Sequence, residues 1–137
     1  MIRVVLDTNV LISGTFWTGD SLQVIQLIRN QKVIGCTSTE ILSEFGKVLQ
    51  RDFNQTPEQI KYHLEVIIPI FSLAGIIPIS GVVKDDPDDD QIIATALGAK
   101  ADYIITQDQH LLCLQKYENI QMITPNEFLE NFPTINK

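Results

Sequence analysis

Apolar and polar positions come in blocks along this chain, and the blocks change period. Residues 2–6 read Ile2-Arg3-Val4-Val5-Leu6, a β-branched run broken only by Arg3. Such a run predicts a short strand buried on both faces of a parallel sheet. It stops at Asp7-Thr8-Asn9, polar residues that favour a turn or a helix cap. Val10–Thr18 follows as a short helix or loop. From Ser21 to Asn30, Leu22, Val24, Ile25, Leu27 and Ile28 recur at helical spacing. Residues 33–36 make a second brief strand. A helix starting at Ser38 or Thr39 runs to about Arg51, with Ile41, Leu42, Phe45, Val48 and Leu49 on one face. Thr56-Pro57-Glu58 opens another, through Ser72, which Pro69 should kink or end.

The second half continues the alternation. Residues 75–79, Gly75-Ile76-Ile77-Pro78-Ile79, predict a third strand away from the sheet centre, because Pro78 cannot donate to a ladder. After an acidic run, Gln91 to Lys100 is rich in Ile and Ala and predicts a helix. A fourth strand covers 103–106 and ends at Gln107-Asp108. Leu111, Leu112 and Leu114 form a short apolar turn, 120–124 a fifth strand, and Pro125-Asn126-Glu127 opens a last helix. Strands alternating with helices imply right-handed crossovers and a three-layer α/β/α sandwich with a five-stranded, mainly parallel sheet. No repeat or linker divides residues 1–137, so one domain is expected.

Composition narrows the setting. No apolar run approaches the about 18 residues of a membrane span, and Arg3 with Asp7 interrupts any signal-like start. Cys36 and Cys113 lack metal-type spacing, which makes a reducing cytoplasm the expected location. His63 and His110 are isolated in the sequence and suggest no imidazole metal site. The net charge is −7, with Asp85, Asp86, Asp88, Asp89 and Asp90 crowded into six residues and the Lys and Arg residues scattered singly. Charge alone argues against gripping nucleic acid through many phosphate contacts. The objection weakens if the acids hold cations: two divalent ions add four charges and bring −7 to about −3.

The acids fall at telling places. Asp7 and Asp108 each end an apolar run, so both should stand side by side at carboxyl ends of strands, where open α/β sheets bind ligands. Capping of the next helix is the bland alternative for Asp7. Asp86 and Asp88 are explained by the helix dipole alone. Asp89 is not, because at about 100° per residue it falls within the face of Ile92, Ile93, Ala96 and Leu97 that must lie on the sheet. Asp90 sits at the edge of that face. Glu44 flanks the apolar face of its helix, while Glu40 points further out; a surface pair of Glu44 with Lys47 is the alternative.

Together these segments resemble the PIN domain family. The resemblance rests on Val5-Leu6-Asp7-Thr8-Asn9-Val10-Leu11, on Ser38 with Ile41-Leu42 and Glu44-Phe45, on Asp89 with Ile92-Ile93-Ala94-Thr95-Ala96, and on Ala101 to Asp108. It covers nearly the whole chain in order. It implies a metal-dependent ribonuclease, often the toxin of a bacterial toxin–antitoxin pair, and frequently a homodimer. The family's acidic positions fall on Asp7, Glu44, Asp89 and Asp108, with Thr8, Asn9 and Thr106 as polar support. Asp90, adjacent to Asp89, is an alternative third acid.

The implied chemistry is carboxylate-bound Mg²⁺ or Mn²⁺, one ion or two, activating water to cleave an RNA phosphodiester. An aspartyl phosphatase would want a second acid where Asn9 stands, and a nucleotide-binding module a Gly-rich loop after the first strand. A non-enzymatic acidic α/β interaction domain is the remaining alternative.

Overall fold

A computed structural model describes residues 1–79 and 87–135. The three-layer α/β/α sandwich expected from the alternation is the fold. Strand β1 (Arg3–Leu6) is central, paired in parallel with β2 (Ile34–Thr37) on one side and β4 (Tyr103–Ile105) on the other. Val4, Val5 and Leu6 are buried, as a strand covered on both faces requires. The sheet order is β3-β2-β1-β4-β6-β5, with β3 at Ser72–Leu73, β5 at Lys116–Tyr117 and β6 at Ile120–Ile123.

Two features of this sheet correct the sequence reading. The described residues form six strands rather than five, because Lys116–Tyr117 folds back antiparallel onto Ile120–Ile123 at the edge. A two-residue strand is too short to display alternation. The third strand is Ser72–Leu73, paired with β2, whereas residues 75–79 leave the sheet. There Ile77 N–H donates to the Ala94 carbonyl of helix α5 (Pro87–Ala99) at 3.0 Å. Gly98 lets this segment cross the helix so closely that a β-carbon would collide with the Gly75 carbonyl. Ile76, Ile77 and Ile79 thus make an apolar run that crosses a helix instead of extending a ladder.

The helices follow their start signals. Helix α1 (Thr8–Phe16) is capped by Asp7 and α2 spans Asp20–Arg29. Helix α3 (Thr39–Phe53) is capped by Ser38, and α4 (Pro57–Ile67) by Thr56 with a full capping box. Helix α4 stops five residues short of Ser72, giving way to a 3₁₀ turn, Ile68–Ile70, that contains Pro69. Short α6 (Gln109–Leu112) and α7 (Pro125–Ile135) complete the chain. Helix α5 lies against β1, β2 and β4, α2 covers β2 and meets α1 and α7, and α3 touches both α1 and α5. Among the described residues no helix is long and apolar enough to cross a membrane.

Candidate metal centre

Chain order reverses across β1 and β4: β2 lies beyond one, β6 beyond the other. Such a switch point opens a crevice at the carboxyl ends of the two strands. The pairing of Leu6 with Ile105 puts Asp7 and Thr106 level with each other past the ladder, and Asp7 N–H donates to the Ile105 carbonyl at 3.1 Å.

Asp7 is only 5% exposed, and each of its carboxylate oxygens accepts a hydrogen bond. Oδ1 accepts from Asn9 N–H at 3.2 Å, which caps α1. Oδ2 accepts from the buried Thr106 hydroxyl at 2.6 Å. The same hydroxyl accepts from Asp108 N–H at 2.9 Å. Thr106 therefore ties the Asp7 carboxylate to the Asp108 backbone, using its one donor on Asp7 and a lone pair for Asp108 N–H. Capping and site geometry, weighed as alternatives for Asp7 from sequence, coexist in one side chain.

The third acid comes from α5. Asp89 is 5% exposed, as its place on the apolar face of that helix demands. Ligand atoms of Asp89, Asp108 and His110 all lie within 4.8 Å of one another. Asp108 caps α6 by accepting from His110 N–H at 2.7 Å, and the His110 ring stands with Nδ1 3.7 Å from Asp108 Oδ1. Of the adjacent pair it is Asp89 that joins this group; Asp90 is buried too, rather than at the edge of the face.

Glu44 arrives by a different route. Its Oε2 accepts from the buried Thr8 hydroxyl at 3.1 Å, one residue along from Asp7. The amino end of α3 is fixed to α5 because Ser38 and Thr95 share a buried 2.8 Å hydroxyl contact while Thr95 donates to the Gln91 carbonyl. Glu40 instead accepts from its neighbour Thr39. Both glutamates line a cleft of about 460 Å³ between α3 and α5, with Lys47, Arg51 and Gln91 further along its wall. Asn9 contributes its backbone N–H to the Asp7 carboxylate, and the residue itself is exposed. Asp85 and Asp86 lie outside the described residues.

The donor set fits a divalent cation. Two carboxylates and one imidazole nitrogen stand close enough to share an ion, with a third carboxylate one hydroxyl away. Asp89 has been taken almost wholly out of water, and a buried carboxylate at close range to others favours positive charge among them. His110 is the participant that sequence reasoning missed. An Asp-x-His pair alone is too short a pattern to single out, and Asp89 joins the pair only through the packing of α5.

Residues 3–110 match the family model described as PIN domain. The chain belongs to the PIN domain family. All four candidate acids, and His110, fall inside the matched span. The chain is also 35% identical over 143 residues to an uncharacterized protein, MJ1680, of Methanocaldococcus jannaschii, covering 96% of this chain and 92% of that one. Solved structures share the PIN fold at much lower identity. VapBC2 from Rickettsia felis, solved with a DNA fragment from its promoter, has a TM-score of 0.63 at 14% identity, over 90% of this chain and 98% of that one. PAE2754 from Pyrobaculum aerophilum has 0.63 at 14%, covering 97% and 96%. FitAcB from Neisseria gonorrhoeae has 0.57 at 16%, covering 89% and 97%. PIN domains are generally nucleases and typically use divalent metals.

Proposed function

We propose that this PIN domain is a Mg²⁺- or Mn²⁺-dependent endoribonuclease, with Asp7, Asp89 and Asp108 holding the metal and Glu44 completing the acidic site. The observation that carries the reading is the Thr106 hydroxyl joined to both Asp7 and Asp108, with Asp89 and His110 gathered on Asp108. Bound metal would supply positive charge for a phosphate and lower the pKa of a water. Thr106 orients the Asp7 carboxylate and holds the backbone of Asp108 beside it, so that little rearrangement is needed when substrate arrives. Thr8 and the Ser38–Thr95 contact set the position of Glu44. Lys47 and Arg51 on the cleft wall offer charge to the flanking phosphates of an RNA strand. Asp90, buried beside Asp89, supports the centre without joining the group around Asp108.

Fold likeness to VapBC2 and FitAcB, together with the sequence resemblance, supports a role as the toxin of a cytoplasmic toxin–antitoxin pair, acting as a homodimer and held by a cognate antitoxin protein. The decisive assay incubates purified protein with single-stranded RNA and with DNA of the same sequence, in Mn²⁺, Mg²⁺ or EDTA. RNA cleavage that needs metal, and that Asp7→Asn and Asp108→Asn both lose, is expected. Intact RNA together with no metal binding would leave an acidic interaction domain instead.

A further inference from the structure

The acids account for much of this site but not for the ring at its mouth. His110 is half exposed, with a side chain 51% accessible, and carries a nitrogen into the group formed with Asp89 and Asp108. Its position is fixed locally: the Asp108 carboxylate captures His110 N–H as the cap of α6, so backbone and ring start from the same point. The other histidine offers a contrast. His63 packs edge-on against Phe16 at 4.9 Å and against Tyr62 at 5.5 Å, within an aromatic cluster.

We infer that His110 is a direct nitrogen ligand of the divalent metal in this site and biases it toward Mn²⁺ over Mg²⁺. The inference rests on the reading of the acidic group as a metal centre, and adds an imidazole to it. Mg²⁺ holds its waters and prefers oxygen donors, so a centre of carboxylates alone discriminates little between the two ions. Imidazole suits first-row transition ions better, and each nitrogen donor moves preference along the series away from Mg²⁺. Two carboxylates and one imidazole within 4.8 Å are a mixed donor set of that kind. The simpler account is that His110 is an exposed partner of Asp108 at 3.7 Å, a contact worth little at a surface and without consequence for the metal.

Pulsed electron paramagnetic resonance of the full chain loaded with Mn²⁺ separates the two accounts without reference to activity. Nitrogen coupling to the bound Mn²⁺ is expected in wild type and in His63→Gln, and should vanish in His110→Gln. Calorimetric titration should show His110→Gln weakening Mn²⁺ binding about tenfold while Mg²⁺ binding changes less than about twofold. Bound Mn²⁺ without nitrogen coupling, or coupling that survives His110→Gln, would overturn the ligand role and leave an all-carboxylate centre standing. Absence of Mn²⁺ binding to wild type would overturn the metal centre itself, and this inference with it. Because His110 is exposed and α6 is capped through its backbone, the variant retains the fold, which a melting curve verifies.

Discussion

At the amino end of β1 and β4, Asp102 faces Arg3; at the carboxyl end of the same two strands, Asp7 faces Thr106 and Asp108. Asp102 accepts from Arg3 N–H at 2.9 Å, its own N–H donates to the Arg3 carbonyl at 2.8 Å, and Arg3 Nε reaches the Ala99 carbonyl. The acid is exposed and its basic neighbour sits beside it in the fold. At the other end Asp7 is buried and accepts from the Thr106 hydroxyl and Asn9 N–H, Asp108 accepts from His110 N–H, and the His110 ring stands 3.7 Å from Asp108. One end ties Asp102 to Arg3 through backbone hydrogen bonds in the open; the other gathers several acids in a crevice. An acid next to an apolar strand therefore points to function when it is buried among other acids, not when it stands in the open.

The largest difference should appear in activity. Asp7→Asn is expected to lower RNA cleavage by at least about a hundredfold, since a bound metal stabilises developing charge by several kcal/mol and each about 1.4 kcal/mol is tenfold. Asp102→Asn should retain full activity per folded molecule. Equal losses in the two variants would erase the contrast between the ends.

Metal-linked stability is the next largest effect. Wild type should gain about 2.7 kcal/mol when Mn²⁺ reaches a hundred times its Kd. Asp7→Asn should gain much less, yet melt above wild type in EDTA, because it removes one buried negative charge from a crevice that holds several acids. The amide can still cap α1 and can donate to the second lone pair of Thr106 Oγ1. Asp102→Asn should show the wild-type metal response. A full metal response in Asp7→Asn would break the assignment.

Within the acidic end, Glu44→Gln against Glu40→Gln is a finer test. Glu44 is held by Thr8 and Glu40 by its own neighbour, so cleavage should fall about tenfold or more in the first and stay within about twofold in the second. Steady-state rates on one RNA decide it.

Much of this arrangement is legible from residue order, for physical reasons. Asp7 and Asp108 declare themselves because an apolar strand that stops short of an acid leaves that acid at the carboxyl end of the sheet. Asp89 does so because helical periodicity places it on a face that cannot be wet. Thr106 as the link, and His110 as a neighbour of Asp89, depend on strand register and helix packing that no local pattern encodes. Residues 75–79 misled because burial against α5 and burial in a sheet demand the same apolar composition, and only Gly98, across the contact, distinguishes them.

The smallest effect probes how far the amino-end pair reaches. Cys36, in β2 beside β1, has its thiol pushed above the usual 9.0, chiefly by burial; Arg3 pulls it down and Asp102 pushes it up. A thiol that keeps its proton in the folded state while the unfolded chain loses it makes stability fall as pH rises through and beyond 9.0. Below that pH both states hold the proton and the thiol contributes no slope. Cys36→Ala should lack this decline, its own packing cost being constant with pH, so the difference between the two urea-unfolding curves isolates the thiol. Asp102→Asn removes an upward push and leaves Arg3 acting alone, so the decline should shrink without disappearing, because burial remains. If Asp102→Asn steepened it, Asp102 would not act on the thiol from its place beside Arg3, and the account of the amino end would lose its basis.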